Sequence, residues 1–340
     1  CGGIYDYASF PVYSPELTDA SKPGIWRWGS SLGLPPNAPQ VSLGEGGTPL
    51  VWVNVAGRQV GFKCEHHNPT GSYKDRGAAT LVSFLVQRGV QAAIEDSSGN
   101  AGAAFAAYAA AAGLKARVFI PDSASGPKRR QIAAYGAEVV RILGPRSVTA
   151  EKVRQLAAQG AIYASHAYLP FVMPGYATIA YELVQQLGGA PGTLLAPVGQ
   201  GNLLLAVGRG FQSMLDRGLI ERMPVLVGVQ AQACAPLWAL GAFGRAGLGW
   251  VTEGQTVAEG VRVRQPVRGD AVFQCVEASR GRFLAVEEEK ILPGRDQLAQ
   301  RGFYVEPTSA LVWDALAQIL PNAPEPVVAI LTGHGLKSLD

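Results

Sequence analysis

The feature that most constrains the fold is an alternation of short β-branched runs with helix-period segments, which begins at Ala92. In chain order the segments are AAIED, NAGAAFAAYAAAAGLK, ARVFIP, PKRRQIAAYGA, EVVRIL, EKVRQLAAQ and IYAS. Alternation of this kind predicts βαβ units. Because parallel strands need crossover connections, which place helices on the faces of the sheet, the predicted fold class is α/β with a parallel sheet.

A second series of α/β segments follows residue 170. A helix over about 175–187 precedes the strand TLLAPVG, a helix over about 202–217, the strand PVLVGVQA and a final strand VVAILT. We therefore predict two open α/β domains with mostly parallel sheets. The small domain covers 81–170, and the large domain is formed by 1–80 together with 171–340. The length of 340 residues agrees with two domains of roughly 150 residues each.

Charge and hydropathy argue against two classes of partner. The chain has 29 Lys+Arg against 26 Asp+Glu, a net charge of +3, and these charges are spread along the sequence. A nucleic-acid-binding surface normally needs a basic cluster, so we expect no nucleic acid. The longest apolar tract, 101–114, is mostly alanine and contains two glycines. It falls short of the roughly 20 residues that a membrane span needs, so we expect no membrane partner.

The four cysteines, Cys1, Cys64, Cys234 and Cys275, are far apart and have no CxxC spacing. Neither a zinc site nor a disulfide framework is indicated, so we expect no metal and a cytoplasmic location. The first residues, CGGIYDY, lack an initiating Met and the apolar core of a signal peptide, so we expect a trimmed or incompletely recorded N-terminus. His66 and His67 would point to opposite faces of an extended chain, and we interpret them as loop residues.

The segment NPTGSYKDRG, at 68–77, places a lysine at the start of a helix predicted to run to about Arg88. Pro69 and Gly71 form a turn, and Lys74 follows in the first helical turn. Here it faces the positive end of the helix dipole, which makes its amine a candidate nucleophile. The alternative is a solvated lysine paired with Asp75, which the local residues alone favour.

The segment EDSSGNAG, at 95–102, ends a predicted strand and begins a helix. Ser97, Ser98 and Asn100 supply polar groups beside glycines that allow a close backbone approach. The NH groups of the following helix point back at the same place, which favours an anionic ligand. A plain strand-to-helix loop capped by Asn or Ser explains the pattern equally well.

The segment PVGQGNLLLAVG, at 197–208, is again a strand, a Gly-containing loop and a helix. Gly199 and Gly201, with the NH groups through Leu203, can wrap a phosphate. The loop matches neither GxGxxG, because Leu204 stands where the third glycine belongs, nor GxxxxGK[ST]. A dinucleotide or nucleoside triphosphate is not indicated, and the loop predicts a small phosphate-bearing cofactor.

The segment ILTGHGLK, at 330–337, ends a strand with a hydroxyl and two glycines. Thr332 can hydrogen-bond a neutral ring nitrogen, although a plain Gly turn is the alternative. The four segments together offer an amine nucleophile, a loop that can bind phosphate and polar side chains at strand ends. These features suit a cofactor that has a phosphate and a carbonyl group able to form a Schiff base with the amine, and pyridoxal phosphate is the natural candidate. The chain has no GxSxG or HExxH motif, so hydrolase and metalloenzyme interpretations lack support.

Four motifs carry a resemblance to a known family: NPTGSYKDRG, SSGNAG, the Gly loop at 199–203 and TGHGLK. In order and separation they resemble those of the fold-type II pyridoxal-phosphate enzymes, whose fold is like that of the tryptophan synthase β chain. The likeness spans essentially the whole sequence. IWRW at 25–28 and SLGEGGTPL at 42–50 make the chain most similar to the threonine synthases of that family.

The resemblance implies a role for each motif residue. Lys74 would carry pyridoxal phosphate as a Schiff base and later shuttle a proton, and Asn100 would contact the ring hydroxyl of the cofactor. Thr332 would meet the pyridine nitrogen, and Ser97 and Ser98 would face the substrate. The cofactor phosphate would be held by the backbone NH groups of Gly199, Gln200, Gly201, Asn202 and Leu203.

The reaction implied by the resemblance is that of a pyridoxal-phosphate-dependent lyase. It converts O-phospho-L-homoserine and water into L-threonine and phosphate, by elimination of the γ-phosphate and addition of water at the β carbon. The implied partner is a small-molecule amino-acid substrate, and the habit of the family predicts a homodimer.

One segment departs from the family pattern. Many threonine synthases have a segment resembling NPxRLEGQKT, whereas this chain has AYLPFVMPGYAT at 167–178. Val172 and Ala177 stand where basic residues are expected to hold the substrate phosphate. The Gly loop also reads VGQGNLL where VGNGGN is commoner.

Two alternatives stay open. A threonine or serine dehydratase, or another pyridoxal-phosphate-dependent β-elimination or replacement enzyme, needs no second anion site, and Val172 favours it. TGHGLK and SLGEGGTPL disfavour it. A non-catalytic ligand-binding relative would be expected to have lost its nucleophile, whereas Lys74 is present.

Overall fold

The computed structural model of the protein describes residues 4–122 and 126–338. The strands, in chain order, are β1 (Leu50–Val55), β2 (Arg58–Lys63), β3 (Ala92–Glu95), β4 (Lys115–Pro121), β5 (Glu138–Ile142), β6 (Thr193–Pro197), β7 (Val225–Ala231), β8 (Arg282–Val286) and β9 (Val327–Ile330). The helices are α1 (Lys74–Gln87), α2 (Asn100–Ala111), α3 (Gly126–Ala134), α4 (Arg146–Ala158), α5 (Met173–Leu187), α6 (Asn202–Asp216), α7 (Pro236–Gly247), α8 (Gly269–Ala278), α9 (Glu288–Ala299) and α10 (Pro307–Ile319).

The chain forms two compact units. The first contains Cys1–Gly47, Asn68–Tyr176 and Lys337–Asp340, and the second contains Thr48–His67 and Ala177–Leu336. The sheet of the first unit has the order β3-β4-β5, and both of its pairings are parallel. The predicted α/β fold class is confirmed.

The sheet of the second unit has six strands in the order β1-β2-β9-β6-β7-β8. Only the pairing of β1 with β2 is antiparallel, and the other four are parallel. Strands β6, β7 and β9 are buried almost throughout and consist mainly of Val, Leu, Ile and Ala, as expected for parallel strands covered on both faces. Part of the core lies between this sheet and the helices α9 and α10.

The division into units differs from the predicted domains, because residues 4–47, 68–80 and 171–176 belong with the three-stranded sheet. The N-terminal segment has only short 3-10 turns, yet it buries Trp26 and Trp28. Its backbone NH at Val41 donates to Ser83 Oγ at 3.0 Å, within α1. This hydrogen bond therefore connects the N-terminal segment, which has no regular strand or α-helix, to the unit with the three-stranded sheet. Hydrophobic periodicity in the sequence cannot predict such a connection.

No helix among the described residues is both long enough and apolar enough to cross a membrane. The described cysteines, Cys64, Cys234 and Cys275, are free thiols. Cys1, named in the sequence analysis, lies outside the described residues.

A buried ion pair joins β2 to α5 in the second unit. Lys63 Nζ lies 2.6 Å from Glu182 Oε2, and both side chains are nearly inaccessible to solvent. Lys63 also donates to the carbonyl of Thr48 at 2.7 Å and to Gln186 Oε1 at 3.1 Å. The buried ammonium thus has three acceptors, which offset the cost of removing it from water.

In the first unit, α1 and the start of α5 approach each other through glycines. A Cβ atom on Gly175 would lie 2.0 Å from the carbonyl oxygen of Arg76, and one on Gly77 would lie 2.5 Å from the ring of Tyr176. Because neither site has space for a methyl group, the two segments hold their backbones at a distance that only glycine permits. This packing places Lys74 and Tyr176 side by side.

We expect Gly175→Ala to lower the free energy of unfolding by about 1–3 kcal/mol, because the added methyl group meets backbone rather than a movable side chain. Gly189→Ala is the matched control, since a Cβ there meets nothing within 4 Å. Thermal and urea unfolding of the two variants would measure the difference. Equal stabilities would contradict the close contact.

Candidate active site

Lys74 is the first residue of α1 and is half-buried. The turn before it is closed by a hydrogen bond from Gly71 N to the Asn68 carbonyl at 2.8 Å, with Gly71 at φ +84. The ammonium nitrogen lies 4.8 Å from the ring centre of Tyr73 and 5.7 Å from that of Tyr176. The lysine is therefore held against aromatic faces at a helix N-terminus.

Asp75 does not serve as the partner of Lys74, as the alternative interpretation supposed. It is fully buried, and its two carboxylate oxygens accept hydrogen bonds from Thr70 N at 2.7 Å and Thr70 Oγ1 at 2.5 Å. Burial raises the pKa of Asp75 to about 7, against the opposing effects of Thr70 and Lys337. Asp75 thus fixes the turn that presents Lys74 and leaves the lysine available for other contacts.

A pocket opens beside Lys74 within the first unit. Its polar lining consists of Lys74, Glu95, His166 and Tyr176. The rest of the wall is apolar and is formed by Ala78, Leu81, Ala101, Phe105, Ala164 and Val172. Val172, which stands where the family pattern has a basic residue, is thus a buried wall residue of the same pocket as Lys74.

Glu95 and His166 are functional candidates that the sequence analysis missed. Their side chains meet in the pocket, with Glu95 Oε1 2.6 Å from His166 Nδ1. The partners are 71 residues apart in sequence, so no local motif contains both. The available signal was the acidic residue that ends an otherwise apolar buried strand.

The loop after β3 carries three of the predicted residues. Ser97 is buried, whereas Ser98 and Asn100 are half-buried, and Asn100 begins α2. A Cβ on Gly102 would lie 1.9 Å from the Ser97 carbonyl oxygen, so only glycine lets the helix rest on this loop. The first unit therefore brings Lys74, Ser97, Ser98 and Asn100 into one α/β framework.

The predicted phosphate loop follows β6 in the second unit. Gly201 has φ +81, and a Cβ on it would lie 2.5 Å from Val272. A Cβ on Gly199 would lie 2.6 Å from the Gly260 carbonyl oxygen. Gln200 turns its side chain to the protein, because its Oε1 accepts a hydrogen bond from Val267 N at 2.9 Å. The loop thus depends on its backbone shape for any ligand contact.

Backbone NH groups in this loop are available to an anion. In the described part of the chain, the NH groups of Gly199, Gln200, Gly201 and Leu203 have no acceptor. The loop and Asn202, where α6 begins, place these donors at a helix N-terminus, where the dipole also favours negative charge. A phosphate group fits this arrangement.

Thr332 follows β9, the strand beside β6, with Leu195 paired to Ala329. The backbone NH of Thr332 donates to Ser309 Oγ at 2.8 Å. Its hydroxyl is buried and has no hydrogen-bond partner within residues 4–122 and 126–338. The sheet continues from β6 to β7 on one side while β9 lies on the other, so the loop and Thr332 stand at a switch point of the topology, where open α/β sheets bind ligands.

His66 and His67 depart from the sequence-based expectation. They lie in a 3-10 turn, Glu65–His67, and not in extended chain, and their ring centres are 4.2 Å apart. The ring centre of His334 lies 5.8 Å from that of His66. The turn therefore brings together two rings that an extended chain would point to opposite faces. In the described residues no group of three or more His, Cys, Asp or Glu side chains could hold a metal ion.

The family described as pyridoxal-phosphate dependent enzyme matches residues 41–333 of the chain. The chain belongs to this family. Its cofactor is pyridoxal phosphate, and it is a pyridoxal-phosphate-dependent lyase. The buried hydroxyl of Thr332 and the unpaired NH groups of the Gly loop fit the ring nitrogen and the phosphate of that cofactor.

Relatives of this lyase agree on the family. The threonine synthase of Methanocaldococcus jannaschii is 34% identical over 100% of this chain and 88% of its own length. The threonine synthase of Synechocystis sp. is 35% identical over 89% of this chain and 80% of its own. Both proteins carry the name threonine synthase, as the sequence resemblance predicts for the subfamily.

Solved structures of the family share the fold of this lyase. The threonine deaminase of T.th. superposes with a TM-score of 0.70 at 28% identity, covering 84% of this chain and 92% of that one. Maize serine racemase superposes with a TM-score of 0.71 at 21% identity, covering 86% and 88%. The predicted relation to fold-type II enzymes is confirmed.

His66 gives this lyase a pH dependence of stability. Burial, helped by His67 and His334, lowers the pKa of His66 to about 4. In the unfolded chain the pKa is about 6.5, so the unfolded state binds more protons between these values and stability falls as the pH falls. We expect the advantage of the wild type over His66→Gln to shrink by roughly 3 kcal/mol between about pH 7.5 and pH 4.

Urea unfolding of the two proteins across this pH range measures that difference. Because the comparison is between proteins that differ at one residue, the titration of all other groups cancels to first order. An advantage that stays constant over the range would contradict the lowered pKa.

Proposed function

We propose that the chain is a threonine synthase, which converts O-phospho-L-homoserine and water into L-threonine and phosphate. The observation that carries the proposal is the 34% identity to a protein of that name over the whole chain. The motifs at Lys74, Asn100, 199–203 and Thr332 support it, because each stands where a strand or turn meets a helix or ends at a sheet edge. A homodimer and a cytoplasmic location stay predictions.

In this proposal the residues of the chain have distinct roles. Lys74 would hold the cofactor carbonyl through its amine and would move the proton of the substrate α carbon. Pyridoxal phosphate supplies, when bound, a sink for the negative charge that this proton leaves behind. Asn100 orients the ring hydroxyl, and Ser97 and Ser98 hold the substrate carboxylate through hydrogen bonds.

Two further groups hold the cofactor in the proposal. Gly199, Gln200, Gly201, Asn202 and Leu203 bind its phosphate through backbone NH groups. Thr332 would donate its hydroxyl hydrogen to the pyridine nitrogen. A hydroxyl group is uncharged, so unlike a carboxylate it does not favour protonation of that nitrogen.

A second candidate, a threonine or serine dehydratase, is favoured by the lining of the pocket beside Lys74. The only cationic side chain in that lining is Lys74, as far as the described residues show, and Glu95 adds a carboxyl group. Val172 and Ala177 are both buried and apolar, so neither can bind a substrate phosphate. A hydroxy amino acid without phosphate suits such a lining.

One assay separates the two candidates. We expect the protein loaded with pyridoxal phosphate to release phosphate and threonine in equal amounts from O-phospho-L-homoserine. Lys74→Ala should abolish this turnover together with the visible Schiff-base absorbance. Formation of 2-oxo acids from threonine or serine is measured in parallel.

The outcomes of this assay are distinct. Oxo acids without phosphate turnover would establish the dehydratase in place of the threonine synthase. Full activity of Lys74→Ala would contradict both, because neither reaction proceeds without the lysine amine.

We expect Thr332→Val to weaken binding of pyridoxal phosphate by about 2- to 10-fold, the effect of losing one neutral hydrogen bond. Thr332→Ser keeps the hydroxyl and should bind the cofactor nearly as the wild type does. Titration of the apoprotein, followed by cofactor absorbance, measures both affinities. Unchanged binding in Thr332→Val would remove this residue from the cofactor site.

A further inference from the structure

Backbone pairing sets Glu95 and His166 side by side. Glu95 ends β3, and the segment that follows α4 returns alongside this strand. There Ile94 N donates to the Ile162 carbonyl at 2.8 Å, and Ala164 N donates to the Ile94 carbonyl at 2.8 Å. His166 thereby reaches Glu95 at 2.6 Å, and the two side chains are 15% and 1% exposed.

One oxygen of Glu95 lacks a partner. Oε1 contacts His166, whereas Oε2 is buried and has no hydrogen-bond partner in the described part of the chain. A buried polar atom without a partner costs free energy, and native proteins rarely leave one unless a ligand or water completes it. Glu95 lines the pocket that contains Lys74, so a molecule in this pocket can supply the missing partner.

The surroundings of the pair favour its uncharged form. Burial, together with Asp96, raises the pKa of Glu95 well above its ordinary value, although Arg146 and Lys74 act in the other direction. Burial, together with Lys74 and Arg146, lowers the pKa of His166 well below its ordinary value. Both shifts favour the state in which Glu95 holds the proton and the imidazole of His166 is uncharged.

Two tyrosines complete the charged and titratable surroundings. The hydroxyl of Tyr163 donates to Asp96 Oδ1 at 2.8 Å, which turns that carboxylate towards Tyr163. Burial, with Tyr73 and Glu95, raises the pKa of Tyr176 well above its ordinary value, so Tyr176 stays neutral. Burial also raises the pKa of Tyr163, so both phenols are weak acids, and the Glu95 and His166 pair is the better proton donor.

We propose that Glu95 and His166 act as an acid–base pair on the β-oxygen of the substrate, the oxygen that becomes or was the hydroxyl of a hydroxy amino acid. The inference rests on the function proposed above and deepens it. The hydroxyl of threonine is formed by a threonine synthase and removed by a dehydratase, so the pair has the same task in opposite directions.

In the direction of elimination, the bond between the β carbon and oxygen breaks, and its electron pair leaves on the oxygen. The oxygen takes the proton of the pair and departs as water. The electrons of the α carbon–hydrogen bond form the carbon–carbon double bond, and Lys74 takes the α proton. In the direction of hydration, water adds at the β carbon and gives one proton to the pair, while Lys74 returns a proton to the α carbon.

Charge in the pocket stays balanced during either direction. When the pair gives up its proton it becomes an anion, and Lys74 becomes an ammonium in the same pocket. The net charge of the enclosed groups is therefore unchanged, and no isolated charge is created in a poorly solvated place. If a group outside the pocket exchanged the proton instead, the net charge inside the pocket would change when Lys74 takes the α proton.

The sharpest test compares two leaving groups. L-Serine needs a proton on its departing hydroxyl, whereas β-chloro-L-alanine loses chloride, which leaves without one. We expect Glu95→Gln to slow 2-oxo-acid formation from serine by about 10²–10³-fold, the usual size of a lost general acid. The same variant should process the chloro compound within about threefold of the wild-type rate.

Control variants separate this role from a structural one. His166→Gln should show the same selective loss as Glu95→Gln. Tyr163 does not line the pocket, and Tyr163→Phe removes only a part-buried hydrogen bond to the neighbouring Asp96, so this variant should treat both substrates nearly as the wild type does. Equal loss on both substrates, or no loss on either, in Glu95→Gln would overturn the proposal.

A binding measurement keeps the inference testable if none of these substrates is turned over. Threonine and 2-aminobutyrate differ only in the β-hydroxyl, and rapid-mixing absorbance of the loaded protein gives the affinity for each. We expect the wild type to prefer threonine by about 3- to 10-fold, and Glu95→Gln to lose that preference.

The two failures are then distinguishable. Equal affinities in the wild type would overturn the contact between the pair and the hydroxyl, whatever the turnover. A preference that Glu95→Gln abolishes, found in a protein that makes neither threonine nor 2-oxo acids, would support the contact and refute the proposed function.

Discussion

Parallel pairing of strands is the constraint on which the rest of this structure depends. It aligns the carboxyl ends of neighbouring strands at one edge of a sheet. There the hydrogen bonds between strands end, and backbone NH groups are left without acceptors. In the second unit, β6 and β9 bring the Gly loop and Thr332 to the same edge. In the first unit, the end of β3 supplies Glu95 and the serine loop. The chemistry therefore lies where regular hydrogen bonding stops.

The pocket beside Lys74 shows how the character of a site can change while the fold stays the same. Val172 replaces an expected cation with an apolar wall, and Glu95 and His166 add a buried carboxyl–imidazole pair. Electrostatic attraction for a dianion is thereby weakened, whereas hydrogen bonding to a neutral oxygen is strengthened. The proposed function and its alternative thus share one lysine and differ in the charge of the substrate.

Sequence patterns predict site residues where the necessary residues are contiguous. The Gly loop and Thr332 are predicted as cofactor contacts because glycines follow a strand directly within one short segment. The sequence does not predict the contact between Glu95 and His166, because that contact forms only when the segment after α4 pairs with β3. The sequence also does not predict that residues 4–47 belong to the unit with the three-stranded sheet. That segment has only 3-10 turns and no hydrophobic period. Buried Trp side chains and isolated hydrogen bonds hold it in this unit.

The position of β9 has a consequence for how the chain becomes a protein. This strand is the last of the nine in sequence, yet it lies between β2 and β6 in the middle of its sheet. During synthesis on a ribosome, β2 and β6 emerge before β9. The backbone NH and CO groups on the edges that β9 will cover stay unpaired while more than a hundred further residues are added. Until β9 is synthesised, those edges are therefore open to pairing with strands of other chains.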